Sequence, residues 1–265
     1  MLIMNTSVLY QTPTFVIVAI LFVLMLLFNR IGFSIHKRQI AKNPESASDG
    51  LGPVEGSLLG LLALLLSFTF GMSASRSDAR RQAIVQEAND IGTAVLRADL
   101  YPDSIRTALR ADFKQYVEAR IAYYQSGTDA DKNQEAIKKA VKYSDKIWVA
   151  VVQQSQDKEN TLRSQQMIPA LNSMIDIVST GDATKNATVP DSIFWFLFLL
   201  IITASLIVGY SNNGKKINHF IVSGFALMTV LTVFLIMDLD RPRRGIINTD
   251  ASVQNIISLR DMFKE

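Results

Sequence analysis

The sequence has no cysteine and only two histidines, His36 and His219. Without thiolates there is no Cys-ligated zinc site, no CxxC redox pair and no disulfide framework, and the redox compartment stays undetermined. Excess charge is scarce too: 27 Lys and Arg against 24 Asp and Glu leave a formal +3, too little to point to nucleic acid. No nucleophile stands beside a base, and neither HExxH nor a phosphate-cradling glycine loop occurs, so an enzyme is the least supported class and no cofactor or metal is expected. Internal repeats and low-complexity segments are absent. No Lys or Arg precedes the first apolar run, while Arg30, Lys37 and Arg38 come after it. That is the reverse of a signal peptide, so the run is expected to be retained.

What the chain does have is long uncharged runs, within a 49% hydrophobic composition. Gly56 to Ser75 carries no charged residue, and as a helix it rises about 30 Å, the thickness of a hydrocarbon core. Three further runs read as spans: Thr14 to Phe28, extended by Pro13 and the turn up to Ile31; Ile193 to Gly209; and Ile217 to Met237. The lipid bilayer is therefore a partner, and the chain is expected to be a multi-pass protein of a bacterial inner membrane. The second span bears a stripe of small residues at helical spacing, Gly56, Gly60, Ala63, Ser67, Gly71 and Ala74. Small residues let helices approach closely in lipid, where apolar side chains gain little by leaving one another. The stripe has two readings. Either it packs against another span of the same chain, or the face with Gly60, Ala63, Ser67, Gly71 and Ser75 lines a water-filled path in an oligomer.

No break signal separates the second span from the amphipathic stretch beyond it. Ile84, Ala88, Ile91 and Val95 continue at helical spacing to Tyr101-Pro102. Asp103-Ser104 then caps a helix with Leu109, Phe113, Tyr116, Val117 and Ile121 on one side, closed by Gly127. A third helix is expected from Asp129 to Gln156, with Ile137, Val141, Ile147, Trp148 and Val151 inward, and a fourth from Asn160 to Thr180, kinked by Pro169 or starting late near Met167. Loops are expected at Ser34 to Val54 and Gly181 to Asp191. The fold class is thus all-α: spans 1 and 2 in 1–76, an inserted extramembrane four-helix bundle in 77–190 with the second membrane helix continuous with it, spans 3 and 4 in 191–240, and a tail in 241–265.

With four spans, the ends of the second and fourth lie on one membrane face. There Arg76, Asp78, Arg80 and Arg81 can meet Asp238, Asp240, Arg241, Arg243 and Arg244. Arg241 precedes a proline, which stops the fourth helix near Asp240 and leaves carboxylates at a helix C-terminus that want a cation. Arg76 and Arg80 repel mildly at i and i+4 and want an anion. Six arginines against three carboxylates make either a clamp or a positive mouth that attracts inorganic anions. Basic residues in the short loops, Arg30, Lys37, Arg38, Lys42, Lys215 and Lys216, favour a periplasmic bundle.

Glu55-Gly56-Ser57-Leu58-Leu59-Gly60 with Phe68-Thr69-Phe70, then Ser75 to Arg81, Glu87-Ala88-Asn89 and Leu239-Asp240-Arg241-Pro242, resemble the bacterial bestrophin-like family. The resemblance implies four spans with a helical domain between the second and third, and kinship to bestrophins, which are pentameric anion channels with that domain in the cytosol. The second span offers only Phe68 and Phe70 where a bestrophin neck is rich in aromatics. The expected function is an oligomeric anion channel. The alternative is a membrane-tethered binding, signalling or scaffold protein whose bundle recognises a ligand or partner, although no output domain comes after the last span.

Overall fold

The computed structural model describes residues 8–42, 52–212, 217–241 and 245–264, and among them all regular structure is helical. The helices are α1 (Val8–Gln11), α2 (Thr14–Lys42), α3 (Gly52–Ala98), α4 (Asp103–Gln125), α5 (Ala130–Ser155), α6 (Thr161–Asn186), α7 (Asp191–Tyr210), α8 (His219–Asp240) and α9 (Asp250–Ser258), with a closing 3-10 turn at Leu259–Phe263. Four segments are long and apolar enough to cross a membrane, and they contain α2, α3, α7 and α8. The chain is a multi-pass membrane protein. It divides into two compact units, 1–75 with 188–241 and 76–187 with 242–265.

Helix α3 serves both units without interruption. Its sequence has a proline only in the first turn, at Pro53, where the missing N–H costs nothing. The next proline is Pro102, and ahead of it the helix closes through Asp99, Leu100 and Tyr101 donating to Leu96, Arg97 and Ala98 carbonyls. At 1.5 Å per residue, α3 runs about 70 Å.

The membrane unit has its own apolar core, including Leu21, Met25, Leu62, Leu197, Ile201, Val233 and Ile236. Its tightest point is a glycine crossing. A Cβ added to Gly32 of α2 would stand 2.0 Å from the Leu206 carbonyl oxygen, and one added to Gly209 of α7 would stand 2.0 Å from the Asn29 carbonyl oxygen. Backbones touch backbones there, which only glycine permits. Asn29, buried beside the crossing, donates to the Ser205 carbonyl at 3.3 Å.

The second unit packs α4, α5, α6, α9 and the outer half of α3 around Ile91, Val95, Leu109, Phe113, Ile147, Met167, Leu171 and Met174. Its turns obey local chemistry. Gly127 closes α4 with φ +56°, a left-handed conformation that disfavours a side chain, and Asp129 caps α5 by accepting the Lys132 N–H. The tail belongs to this unit: Val253, Ile256 and Leu259 enter the core, and Arg260 grips Glu118 by two hydrogen bonds of 2.8 and 2.6 Å. The hydrogen bonds from Arg260 hold the Glu118 carboxyl below the ordinary glutamate range.

Several expectations are corrected. The loop expected from Ser34 is helical up to Lys42, because no Gly or Pro breaks it and His36 turns inward against the Tyr210 ring; the turn residues Asn43, Pro44, Gly50 and Leu51 lie outside the described residues. Helix α6 starts at Thr161, not near Met167, and runs through Pro169 and Gly181 to Asn186, shortening the expected linker to 187–190. In α5 the buried stripe is Ala136, Ala140, Ile147 and Val151, and Val141 is exposed; two alanines one turn apart admit a closer neighbour than valine would. Asp103 is the first residue of α4 rather than its cap, the cap position falling to Pro102 without a side-chain bond.

Candidate functional site

The outer face of the membrane half of α3 is the first candidate. Leu62, Thr69 and Ser73 are buried, while Gly60, Ala63, Ser67, Gly71 and Ser75 are exposed. A Cβ added to Gly56, Gly60 or Gly71 meets no described atom within 4 Å. Packing of this stripe against another span of the same chain is therefore corrected: the close-approach glycines of the membrane unit are Gly32 and Gly209, and the α3 stripe has no cover among the described residues. Of the four spans α3 is the least buried, 17% of its apolar window.

At the end of that span the charged residues take distinct places. Asp78 and Arg81, both well exposed, pair at 3.8 Å. Arg80 is buried and donates to the Ala187 carbonyl at 3.3 Å. Arg76 is half-buried, and its Nη1 is enclosed with no hydrogen-bond partner among the described residues.

At the end of the fourth span, Asp238, Asp240 and Arg241 are all buried. Asp240 accepts the Val189 N–H at 2.9 Å. Arg241 donates to the Thr12 carbonyl at 2.6 Å, to Thr14 Oγ1 at 3.0 Å and to the Leu9 carbonyl. Its cation thus meets carbonyls at and just beyond the C-terminal end of α1, where the helix dipole favours positive charge. Arg243 and Arg244, like Lys215 and Lys216, lie outside the described residues.

A further enclosed pair of charges lies elsewhere. In the second unit, Arg120 of α4 meets Glu87 of α3 through Nε to Oε1 at 2.5 Å and Nη2 to Oε2 at 2.9 Å, with both side chains 5% exposed or less. The Tyr124 hydroxyl donates to Glu87 Oε2 at 2.6 Å. The guanidinium also lies over the rings of Tyr123 and Tyr124, 4.7 and 5.5 Å from their centroids. Burial opposes the Arg120 charge, but the charge and hydrogen bonds of Glu87 outweigh it and hold its pKa above the ordinary value. Burial raises the Tyr116 and Tyr124 hydroxyls, so both stay protonated.

The family model of the bestrophin-like domain matches residues 15–253. The chain belongs to the bestrophin-like family. No curated protein matches it. Its fold matches crystal structures of a bacterial bestrophin homolog from Klebsiella pneumoniae, in two single-substitution variants, at TM-scores of 0.63 and 0.65. Identities there are 15% and 14%, covering 92% and 91% of this chain and 99% and 98% of theirs. A crystal structure of a point variant of a membrane protein matches at a TM-score of 0.64, with 14% identity over 92% of this chain and 99% of that one. At such identities the likeness is one of fold. At family level, membership supports a bestrophin-type channel and not an enzyme.

From the sequence of this bestrophin-like chain, Glu87 stood out only within the Glu87-Ala88-Asn89 stretch of the family resemblance, and Arg120 was missed altogether. A signal was present. Arg120 comes after Phe113, Tyr116 and Val117 at helical spacing and precedes Tyr124, so it occupies a core-facing position of α4. Glu87 likewise lies between Ile84 and Ile91 on the inward side of α3. A charge on each of two apolar stripes is the pattern of a buried pair.

Proposed function

We propose that the chain is the subunit of an oligomeric membrane channel whose second spans surround the conduction path, with arginines at the exit of that span favouring anions. The observation carrying this reading is the uncovered face Gly60, Ala63, Ser67, Gly71 and Ser75. Lipid gains nothing from glycine and serine, whereas a ring of closely packed helices around water uses both. The mouth is assigned to Arg76, Arg80 and Arg81, three cations against Asp78 on the same helix. The enclosed Arg76 Nη1, with no described partner, supplies a donor suited to a small anion.

The channel reading is tested by native mass spectrometry together with chloride efflux from reconstituted liposomes. A closed ring, five copies by analogy with bestrophins, and efflux above empty liposomes are expected. The chloride-over-sodium preference is expected to fall several-fold in Arg76→Ala and Arg81→Ala. A monomer, or flux equal to that of empty liposomes, overturns it.

The same proposal places the extramembrane unit in the periplasm of a bacterial inner membrane, on the strength of the basic short loops. Because the chain has no cysteine, a Lys158→Cys variant at an exposed turn gives one clean label site. A membrane-impermeant maleimide added outside the inner membrane of intact spheroplasts is expected to label it. Labelling only after lysis reverses the orientation.

A further inference from the structure

The extramembrane unit holds a partly open cavity of about 500 Å³, inside the range of small-molecule sites, roughly 300–1,000 Å³. Its walls come from four elements: Arg80 of α3, Tyr123 of α4, Asp182 and Lys185 of α6, and Asp250 and Val253 of the tail helix α9. Apart from Arg80, these residues play no part in the channel reading.

The charges around the cavity decide what suits it. Arg120 also lines it, but Glu87 neutralises that guanidinium through two hydrogen bonds. The other charged lining is two cations, Arg80 and Lys185, and two carboxylates, Asp182 and Asp250, which already have partners in the protein and still set the field in the cavity. A ligand of one sign is attracted by one pair and repelled by the other. A ligand carrying both signs meets a partner for each.

Tyr123 fixes part of this arrangement. Lys185 Nζ donates to its hydroxyl at 3.1 Å, and the hydroxyl donates to Asp182 Oδ1 at 3.3 Å. Ammonium, phenol and carboxylate are thus strung along one wall. The Lys185 ammonium also lies 5.2 Å from the Tyr123 ring centroid, a cation–π contact that limits where it can swing. Ile84, Val253 and Ile257 supply apolar lining, which suits an aliphatic portion.

We propose that this cavity binds a small zwitterion with both an ammonium and a carboxylate group, an amino acid or a close analogue. The tail supplies one wall and core residues of the same unit supply the others, so a bound ligand fastens the tail to the bundle. The assignment shares Arg80 with the channel reading, but its test, on Asp182 and Lys185, does not depend on that reading.

The test is isothermal calorimetry and thermal melting of the full-length protein in detergent against the twenty L-amino acids, each compared with its N-acetyl and amide derivatives. At least one free amino acid is expected to bind and to raise the melting temperature by several degrees at saturation. Its two derivatives, each lacking one charge, are expected to bind about tenfold more weakly or worse. Asp182→Asn and Lys185→Gln are expected to weaken binding of the same amino acid by about tenfold or more, each compared with its own unliganded melting temperature. No binding across the panel overturns the proposal. So does a singly charged derivative that binds as tightly as its parent, or unaltered affinity in both variants. The derivative comparison uses the unaltered chain and so stands whatever the variants do.

Discussion

Glu87→Gln is expected to lower the stability of the extramembrane unit by about 3–5 kcal/mol, because it leaves the Arg120 cation enclosed without its counter-charge. The pair is at most 5% exposed, so water cannot replace what glutamine fails to give. Gln retains the acceptor for one guanidinium N–H and for the Tyr124 hydroxyl, but not the charge. The melting temperature in detergent should fall by roughly 6–20 °C on this scale. Arg120→Met should cost a similar amount by stranding the carboxylate. A Glu87→Leu/Arg120→Met double variant should recover much of the loss, since a buried pair is often no more stabilising than apolar residues of like volume. A drop of less than about 1 kcal/mol in both single variants would show that water reaches the pair, and the account of it as a desolvated lock would fail.

The second large effect belongs to the membrane unit. Gly209→Leu or Gly32→Leu should prevent α2 and α7 from closing, because even a Cβ at either position lies 2.0 Å from a backbone carbonyl oxygen. A flexible side chain can move aside; a helix backbone can do so only by separating the two helices. The cost is at least that of ordinary overpacking, about 1–3 kcal/mol, and it further includes the Asn29-to-Ser205 hydrogen bond beside the crossing. The variants should elute as aggregate in size-exclusion chromatography after detergent extraction. Gly60→Leu is the control, since a Cβ there meets open space. It should leave the fold of the single chain intact, and a loss of extractable folded protein equal to that of Gly209→Leu would contradict the assignment of the crossing.

The two glycine sets show where reading the sequence stopped. Small residues at helical spacing marked the α3 stripe as a place of close approach in lipid, but that stripe is not the one used inside the chain. Gly32 and Gly209 are the one glycine of each helix; Ser205 and Gly209 have the spacing of a small-residue pair, but Gly32 has no such mate to announce it. Their importance arises only because α2 and α7 cross at that point, and a crossing is a property of two helices together. The arginines behave similarly. Arg241 reads as one more cation of a basic cluster, yet it is buried and spent on the carbonyls of α1, a helix of four residues too short to be announced by periodicity.

By itself, the sequence determined an all-helical membrane protein with four spans, and an unbroken helix from the second span into an extramembrane core. Those features rest on local quantities, namely hydropathy summed along the chain, apolar spacing near 3.6 and the positions of prolines. The tertiary structure alone decided which small residues pack and which lie open, which arginines are enclosed, and that the tail completes the bundle. Burial and pairing depend on residues far apart in the chain, such as Glu87 with Arg120 or Gly32 with the Leu206 carbonyl. No window of local sequence contains both partners.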